Sequence, residues 1–260
     1  YSLRAKGSLK VRPWLKVTNN LSLAIDQNYI PMGSTDNSVQ RYMQHCLQPM
    51  APLRNLDGTW TPAAAISGYA AFYEGNNYKT DNYIYVRDKF DVDIDISKDV
   101  LKFQADYSFN YTGRTNTRVR NYVYYSKTPG VIVTESTSVG DGLTQTTYDT
   151  RYQSTNEYLT WTPKLGEKHS LNVLACFKME WSRYRTTTSS RKGFITGKPS
   201  FSLMDGESTI TSGGNDWAYL GAFARVNYNL FGRYLFEVSG RYDGSSKFPF
   251  SSRWGFFPSG

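Results

Sequence analysis

The sequence predicts an all-β chain whose antiparallel strands form part of the wall of a transmembrane β-barrel. Three observations carry this. Apolar and polar residues alternate with period two through segments of about ten residues, the length that crosses a bilayer as a tilted strand. Short turns and long polar connections follow one another in strict alternation, as a barrel with tight turns on one side and long loops on the other requires. Aromatics make up 16% of the 260 residues, with 21 Tyr and 6 Trp, side chains that favour a boundary between water and an apolar phase. Mean hydropathy is −0.54, and no run approaches the roughly 20 apolar residues of a membrane helix. A helical membrane protein is excluded; a barrel is not, because only alternate residues of a strand meet lipid.

The elements follow in order. Tyr1, Leu3, Ala5, Leu9 and Val11 alternate with Ser2, Arg4, Lys6, Ser8 and Lys10. Arg12-Pro13-Trp14 turns the chain, and Leu15, Val17, Leu21, Leu23 and Ile25 resume the pattern against Lys16, Thr18, Asn20 and Ser22. Ile84, Val86, Phe90, Val92, Ile94 and Ile96 form the next apolar face. After a turn at Ser97-Lys98-Asp99, Leu101, Phe103, Ala105, Tyr107, Phe109 and Tyr111 form another. A third pair spans about Tyr148 to Trp161 and Leu171 to Trp181. Its second member alternates cleanly, but Tyr152, Ser154, Asn156 and Tyr158 of the first make a poor lipid face. A fourth pair, about Trp217 to Asn229 and Arg233 to Asp243, turns at Leu230-Phe231-Gly232, and a ninth strand begins near Arg253 to Ser259.

Residues 1–260 thus read as one partial barrel domain, with long connections over about 26–83, 113–147 and 183–216. Loops of this length are uncommon inside compact soluble domains. The first holds one expected short helix near 38–48, where Val39, Tyr42, Met43, Cys46 and Leu47 recur at helical spacing behind possible caps at Asp36, Asn37 and Ser38.

The formal net charge is +8, but Lys and Arg are scattered singly along strands, which argues against nucleic-acid binding. Cys46 and Cys176 match no redox or metal spacing. His45 and His169 are the only histidines, and neither sits in a catalytic constellation, so no enzyme and no cofactor is expected. Asp91, Asp93 and Asp95 resemble the start of a calcium loop, yet Ile96 and Lys102 stand where such a loop needs Gly and a bidentate Glu. The three carboxylates are expected on one strand face in the lumen, with no metal. Asp-Gly pairs at Asp57, Asp141, Asp205 and Asp243 read as turns.

The last forty or so residues are the most specific. From Tyr219 the chain reads YLGAFARVNYNLFGRYLFEVSGRYDGSSKFPFSSRWGFFPSG. This strongly resembles the SusC/RagA-like branch of TonB-dependent outer-membrane receptors of Bacteroidetes, through an R-x-D-G-S-S-[RK]-F element and a following R-W-G-x-F-P-S element. The first falls on Arg241, Asp243, Gly244, Ser245, Ser246, Lys247 and Phe248. The second falls on Arg253, Trp254, Gly255, Phe257, Pro258 and Ser259. The resemblance implies a barrel of about twenty-two strands with a plugged lumen, short periplasmic turns and long external loops. The plug, the TonB-contacting segment and the terminal strand are expected outside these residues. It also implies active import of glycans or peptides, a SusD-like lipoprotein lid, the TonB complex as energy source, and outer-membrane lipid around the wall. A receptor for a siderophore or cobalamin is the alternative within transport. A secreted soluble β-sandwich, a carbohydrate-binding or adhesin module, is the alternative of another class.

Ligand contacts are expected from aromatics of the first long loop, Trp60, Tyr69, Tyr73 and Tyr78, with Asn76 to bond hydroxyls. Sugar rings stack their apolar faces on aromatic planes. The competing reading is that these side chains only pack the loop.

Overall fold

The computed structural model describes residues 1–32, 50–133, 141–195 and 198–260. Nine strands form one antiparallel sheet in the order β1-β2-β3-β4-β7-β8-β9-β10-β11. They are β1 (Ser2–Arg12), β2 (Leu15–Pro31), β3 (Tyr78–Ser97), β4 (Leu101–Arg120), β7 (Gly142–Trp161), β8 (His169–Arg191), β9 (Ser208–Leu230), β10 (Tyr234–Ser245) and β11 (Trp254–Ser259). Between β4 and β7 lies a separate two-stranded hairpin, β5 (Tyr125–Thr128) with β6 (Val131–Val133). The large sheet is an unclosed arc, since among the described residues β1 pairs only with β2 and β11 only with β10.

Register sorts the side chains onto two faces. Leu9, Val17, Val92, Ala105, Phe177, Ala222 and Tyr242 stand opposite one another across eight strands, with Glu157 as the polar member of the row. One residue along, Ser8, Thr18, Asp91, Asp106, Asn156, Lys178 and Asp243 form the other face, with Gly221 on β9. In β8, Ala175, Phe177 and Met179 of the apolar face are exposed while Cys176, Lys178 and Glu180 between them are half-buried. Neighbours splay apart on a convex surface and crowd on a concave one, so the apolar face is outside and the polar face lines the lumen. No second sheet covers the apolar face among the described residues: Leu3 is 62% and Val238 is 64% exposed. The sandwich alternative needs those residues in a dry core, and it falls here.

The apolar band crosses the ladders obliquely. On β2 it ends at Ile25, which lies level in register with Gly214, four residues beyond the Ala218 that ends the band on β9. A band level with a membrane must slip along the register when strands tilt. On β8 the band runs from Leu171 to Trp181, about 25 Å of height at roughly 3.3 Å per residue and 40° tilt.

The strands outrun their alternation. β2 continues to Pro31 and β3 starts at Tyr78, so the first connection is shorter than the 26–83 that patterning suggests. β4, β7, β8 and β9 likewise extend past the band. There both faces carry Thr, Ser, Gln and charged residues, so pairing persists where the period-two signal fades. The difficulty with β7 resolves the same way. Tyr152, Ser154, Asn156 and Tyr158 oppose Asn110, Ser108, Asp106 and Gln104 on the luminal side, and the outward series is Gln153, Thr155, Glu157, Leu159 and Trp161.

The connections on the short-turn side include tight hairpins. At Leu230–Arg233 the Arg233 amide donates to the Leu230 carbonyl at 3.1 Å, with Phe231 and Gly232 both at positive φ, the geometry that suits hairpin twist. Asp243-Gly244, in contrast to the sequence expectation, is no turn: both residues lie within β10 and pair on both sides. The expected helix near 38–48, with His45 and Cys46, lies outside the described residues. The first long connection does hold two short helices, Pro62–Ile66 and Tyr69–Glu74.

Candidate functional site

The luminal wall has two zones. In the zone beside the short turns, charges of both signs interlock. Lys89 lies 2.9 Å from Asp91 and 4.0 Å from Asp106, and Lys102 lies 3.6 Å from Asp93. Gln104 donates to Asp93 at 2.6 Å, and Asn156 to Asp106 at 3.0 Å. Asp91, Asp93 and Asp95 share a face because residues two apart on a strand do. Lys6, Lys16, Ser8 and Thr18 complete the same polar depression. Most of these groups are part-exposed, so the pairs add little stability; their effect is a hydrated, charge-patterned surface.

The zone nearer the long connections is aromatic. Arg114 forks onto Asp81, Nε and Nη2 donating at 2.7 and 2.6 Å. Its guanidinium lies 5.1 Å from the Tyr83 ring and 5.0 Å from that of Tyr148. Tyr83 stacks on Tyr85 at 5.7 Å, and Tyr148 on Tyr184 at 6.4 Å. Tyr152 and Trp217 continue the strip, 6.2 Å apart, and the Lys247 ammonium sits 4.5 Å over Trp217. Cation–aromatic contact and a bidentate carboxylate hold Arg114 in place. The result is a shelf of ring faces and hydroxyls on β3, β4, β7, β8 and β9. Sequence reading missed it, because register joins residues from Asp81 to Trp217. The available signal was Tyr at the polar positions of alternating strands.

The loop residues singled out from sequence divide in their surroundings. Trp60 is buried, at 6% exposure. Arg54 covers its ring at 3.6 Å, its indole N–H donates to Glu74 at 2.7 Å, and Tyr69 and Tyr73 meet it edge-on. It packs with Ala64, Ala70, Ala71 and Val123 in a small core of the loop. Tyr73 is 65% exposed and Tyr69 half-buried. Tyr78 stacks on Tyr29 at 5.2 Å at the head of β3. The Asn76 carbonyl accepts from the Asn121 side chain at 2.6 Å, and Asn77 Oδ1 from the Asn121 amide at 2.7 Å. Apart from Tyr69 and Tyr73, stacked at 6.2 Å, these residues form no joint surface.

The C-terminal motif residues split between the two faces of β10 and β11. On the luminal side Tyr219 donates to Asp243 at 2.6 Å, and Arg241 bonds Tyr219 at 3.0 Å and Asp243 at 3.2 Å. Gly221 and Gly255 flank Asp243 in register. Outside, Trp254 stacks on Tyr242 at 5.1 Å and an interplanar angle of 9°. Ser246 prolongs the ladder, its amide donating to the Ala218 carbonyl at 2.9 Å and its hydroxyl accepting from the Ala218 amide at 2.8 Å. His169 bonds the Tyr228 hydroxyl at 2.7 Å among aromatics at the short-turn rim. Cys176 is half-buried on the luminal face.

A curved antiparallel sheet with a lipid-suited convex face and a polar concave face defines a wall segment of a transmembrane β-barrel. Residues 47–260 match the family model described as TonB dependent receptor-like, beta-barrel, and the chain belongs to that family. It is 26% identical over 165 residues to TonB-dependent receptor P3 of Formosa agariphila, covering 62% of this chain and 16% of that protein. It is 57% identical over 37 residues to TonB-dependent receptor SusC of Bacteroides thetaiotaomicron, 14% of this chain and 4% of that one. The fold matches the solved RagAB peptide transporter with a TM-score of 0.75 at 18% identity, over 99% of this chain and 29% of that one. The RagAB peptide importer in the 'open-open' state matches at the same TM-score with 19% identity. The chain is therefore a stretch of TonB-dependent receptor barrel, and it spans less than a third of the length of each protein matched here.

Proposed function

We propose that this chain is part of the wall of an outer-membrane importer that takes up oligosaccharides or peptides with energy delivered through TonB. In this reading the convex face meets lipid and the concave face lines the ligand's path. A SusD-like lipoprotein closes the external end, and the long loops meet that partner or the incoming ligand. The division of faces carries the reading: eight-strand rows that are apolar outside and charged or hydroxylated inside suit a hydrated passage through a membrane. The SusC and RagAB likenesses support an importer, and RagAB, being a peptide transporter, supports a polymeric cargo. The luminal shelf of Tyr83, Arg114, Tyr148 and Tyr184 suits such cargo, since ring faces stack on sugars or flat side chains while hydroxyls bond their edges. Of the loop residues, Tyr73 offers the accessible ring with Tyr69 stacked beside it, while buried Trp60 supports them from below.

The test is uptake by the full-length receptor in cells, using fluorescently labelled oligosaccharides and peptides with and without TonB. The reading expects TonB-dependent uptake of one class, and a several-fold loss in a Tyr83→Ala/Tyr148→Ala variant present at normal level in the outer membrane. Recovery of the receptor as a soluble protein, or uptake that ignores both TonB and the receptor, would sink it. Uptake of a ferric chelate in place of either polymer would favour the metal-chelate alternative.

A further inference from the structure

Directly above the apolar band, on the convex face and toward the long connections, three arginines gather. Arg151, Arg183 and Asp216 share one register row, and Arg185 lies in the next. Below them stands Trp181, the last apolar residue of β8's outward series, and Arg183 lies 5.2 Å from its ring. Two carboxylates hold the cluster. Arg185 forks onto Asp216 at 2.7 and 2.9 Å, and Arg151 Nε lies 3.0 Å from Asp149. Arg183 reaches Asp216 only at 3.5 Å, without a hydrogen bond from its Nε. Gly214 faces the same side in the Arg185 row, and a Cβ there would come within 2.8 Å of Arg185 Cδ. The absent side chain is what lets Arg185 lie across β9.

Three guanidiniums against two carboxylates leave a positive excess. It sits where the wall leaves hydrocarbon, beside the aromatic residue that marks such a boundary. A luminal ligand cannot reach it, because these side chains point away from the lumen. The group that stands at this height outside a barrel is a lipid headgroup, and a planar, forked cation is best matched to phosphate.

We propose that Arg151, Arg183 and Arg185 form a docking site for the phosphate of an outer-leaflet lipid, the phosphorylated glucosamine headgroup of lipopolysaccharide, whose acyl chains lie along the band beneath. Asp149 and Asp216 position Arg151 and Arg185, and Arg183 supplies the least committed charge. This rests on the outer-membrane reading above.

The test reconstitutes the full-length receptor in phosphatidylethanolamine nanodiscs doped with lipid A, either phosphorylated or enzymatically dephosphorylated. Retained lipid A is then counted by native mass spectrometry. The expected result is preferential retention of the phosphorylated form, reduced about tenfold in an Arg183→Gln/Arg185→Gln variant. Arg87→Gln, a luminal charge removal, should leave retention unchanged. Equal retention of both forms, or a double variant indistinguishable from wild type, would overturn the site while leaving the barrel reading intact. Failure of the receptor to enter nanodiscs at all would instead overturn the membrane reading, and this site with it.

Discussion

Trp254 lies flat over Gly244: a Cβ at position 244 would stand 2.5 Å from the ring's Cε3. The two residues are register partners on β10 and β11, so the indole covers the gap that glycine leaves in a strand, a pairing that offsets the intrinsic weakness of strand glycine. Replacing Gly244 with Val should force the ring off and destabilise the barrel by about 1–3 kcal/mol. Gly7, with nothing within 4 Å of its Cβ position, should accept Ala with a change of about 0.5 kcal/mol or less. Denaturant unfolding in detergent or lipid compares the two, and equal effects would show that the ring is not seated as described.

Phe103→Arg places a cation on the lipid face, level with Leu159 and Ala175. Its expected cost is about 2–4 kcal/mol near mid-bilayer. Lys102→Ala, one residue along in the lumen, loses a part-exposed ion pair at 3.6 Å and should cost under about 1 kcal/mol. Folding measurements into vesicles that gave equal costs would reverse the assignment of faces.

Glu157 is an exposed acid in an otherwise apolar row, between Ala105 and Phe177. Glu157→Val should stabilise the wall in lipid by roughly 1 kcal/mol, since it removes a polar group from the hydrocarbon side and adds a strand-favouring one. Loss of stability on this change would mean that the carboxylate has a partner beyond this chain.

Asp57 accepts from the Thr59 hydroxyl at 2.6 Å and the Thr59 amide at 3.1 Å, and also from the Gly130 amide, tying the first loop to the β5–β6 hairpin. The Thr59 bonds hold its carboxyl below the usual range. A lowered folded value means that the tie is fully present above about pH 4 and fades as pH falls through the folded value. Hydrogen exchange at Thr59 and Gly130, corrected for intrinsic rates, should therefore lose protection in acid. Asp57→Asn should remove that acid step; an unchanged profile in the variant would assign the step to another group.

Much of the wall was readable because a strand with lipid on one side and water on the other must alternate. Leu101 to Tyr111 does so without exception, and Leu171 to Met179 departs from it only at Leu174 and Cys176, which face the lumen. Reading failed where that physical asymmetry ends. Past Trp181 on β8 neither face meets hydrocarbon, so Arg183 to Arg191 carries no period and reads as loop from sequence alone. β7 misled because Thr155 and Glu157 break the outward apolar series while Tyr152 and Tyr158 mimic one inward. The luminal shelf was invisible for another reason: Arg114 meets Asp81 and Tyr148 only through a register that no local pattern encodes. Trp60 drew attention as a ring, whereas the helices around it, with Glu74 and Arg54, enclose it.

β8 continues ten residues beyond Trp181 before it ends at Arg191, on the order of 25 Å of further height at about 40° tilt. The wall thus stands above the bilayer as a chimney whose rim is far from the hydrocarbon. Insertions or exchanges in the rim loops face neither acyl chains nor the folding constraint that they impose. The rim can therefore vary in sequence and length while the lipid-facing staves stay the same.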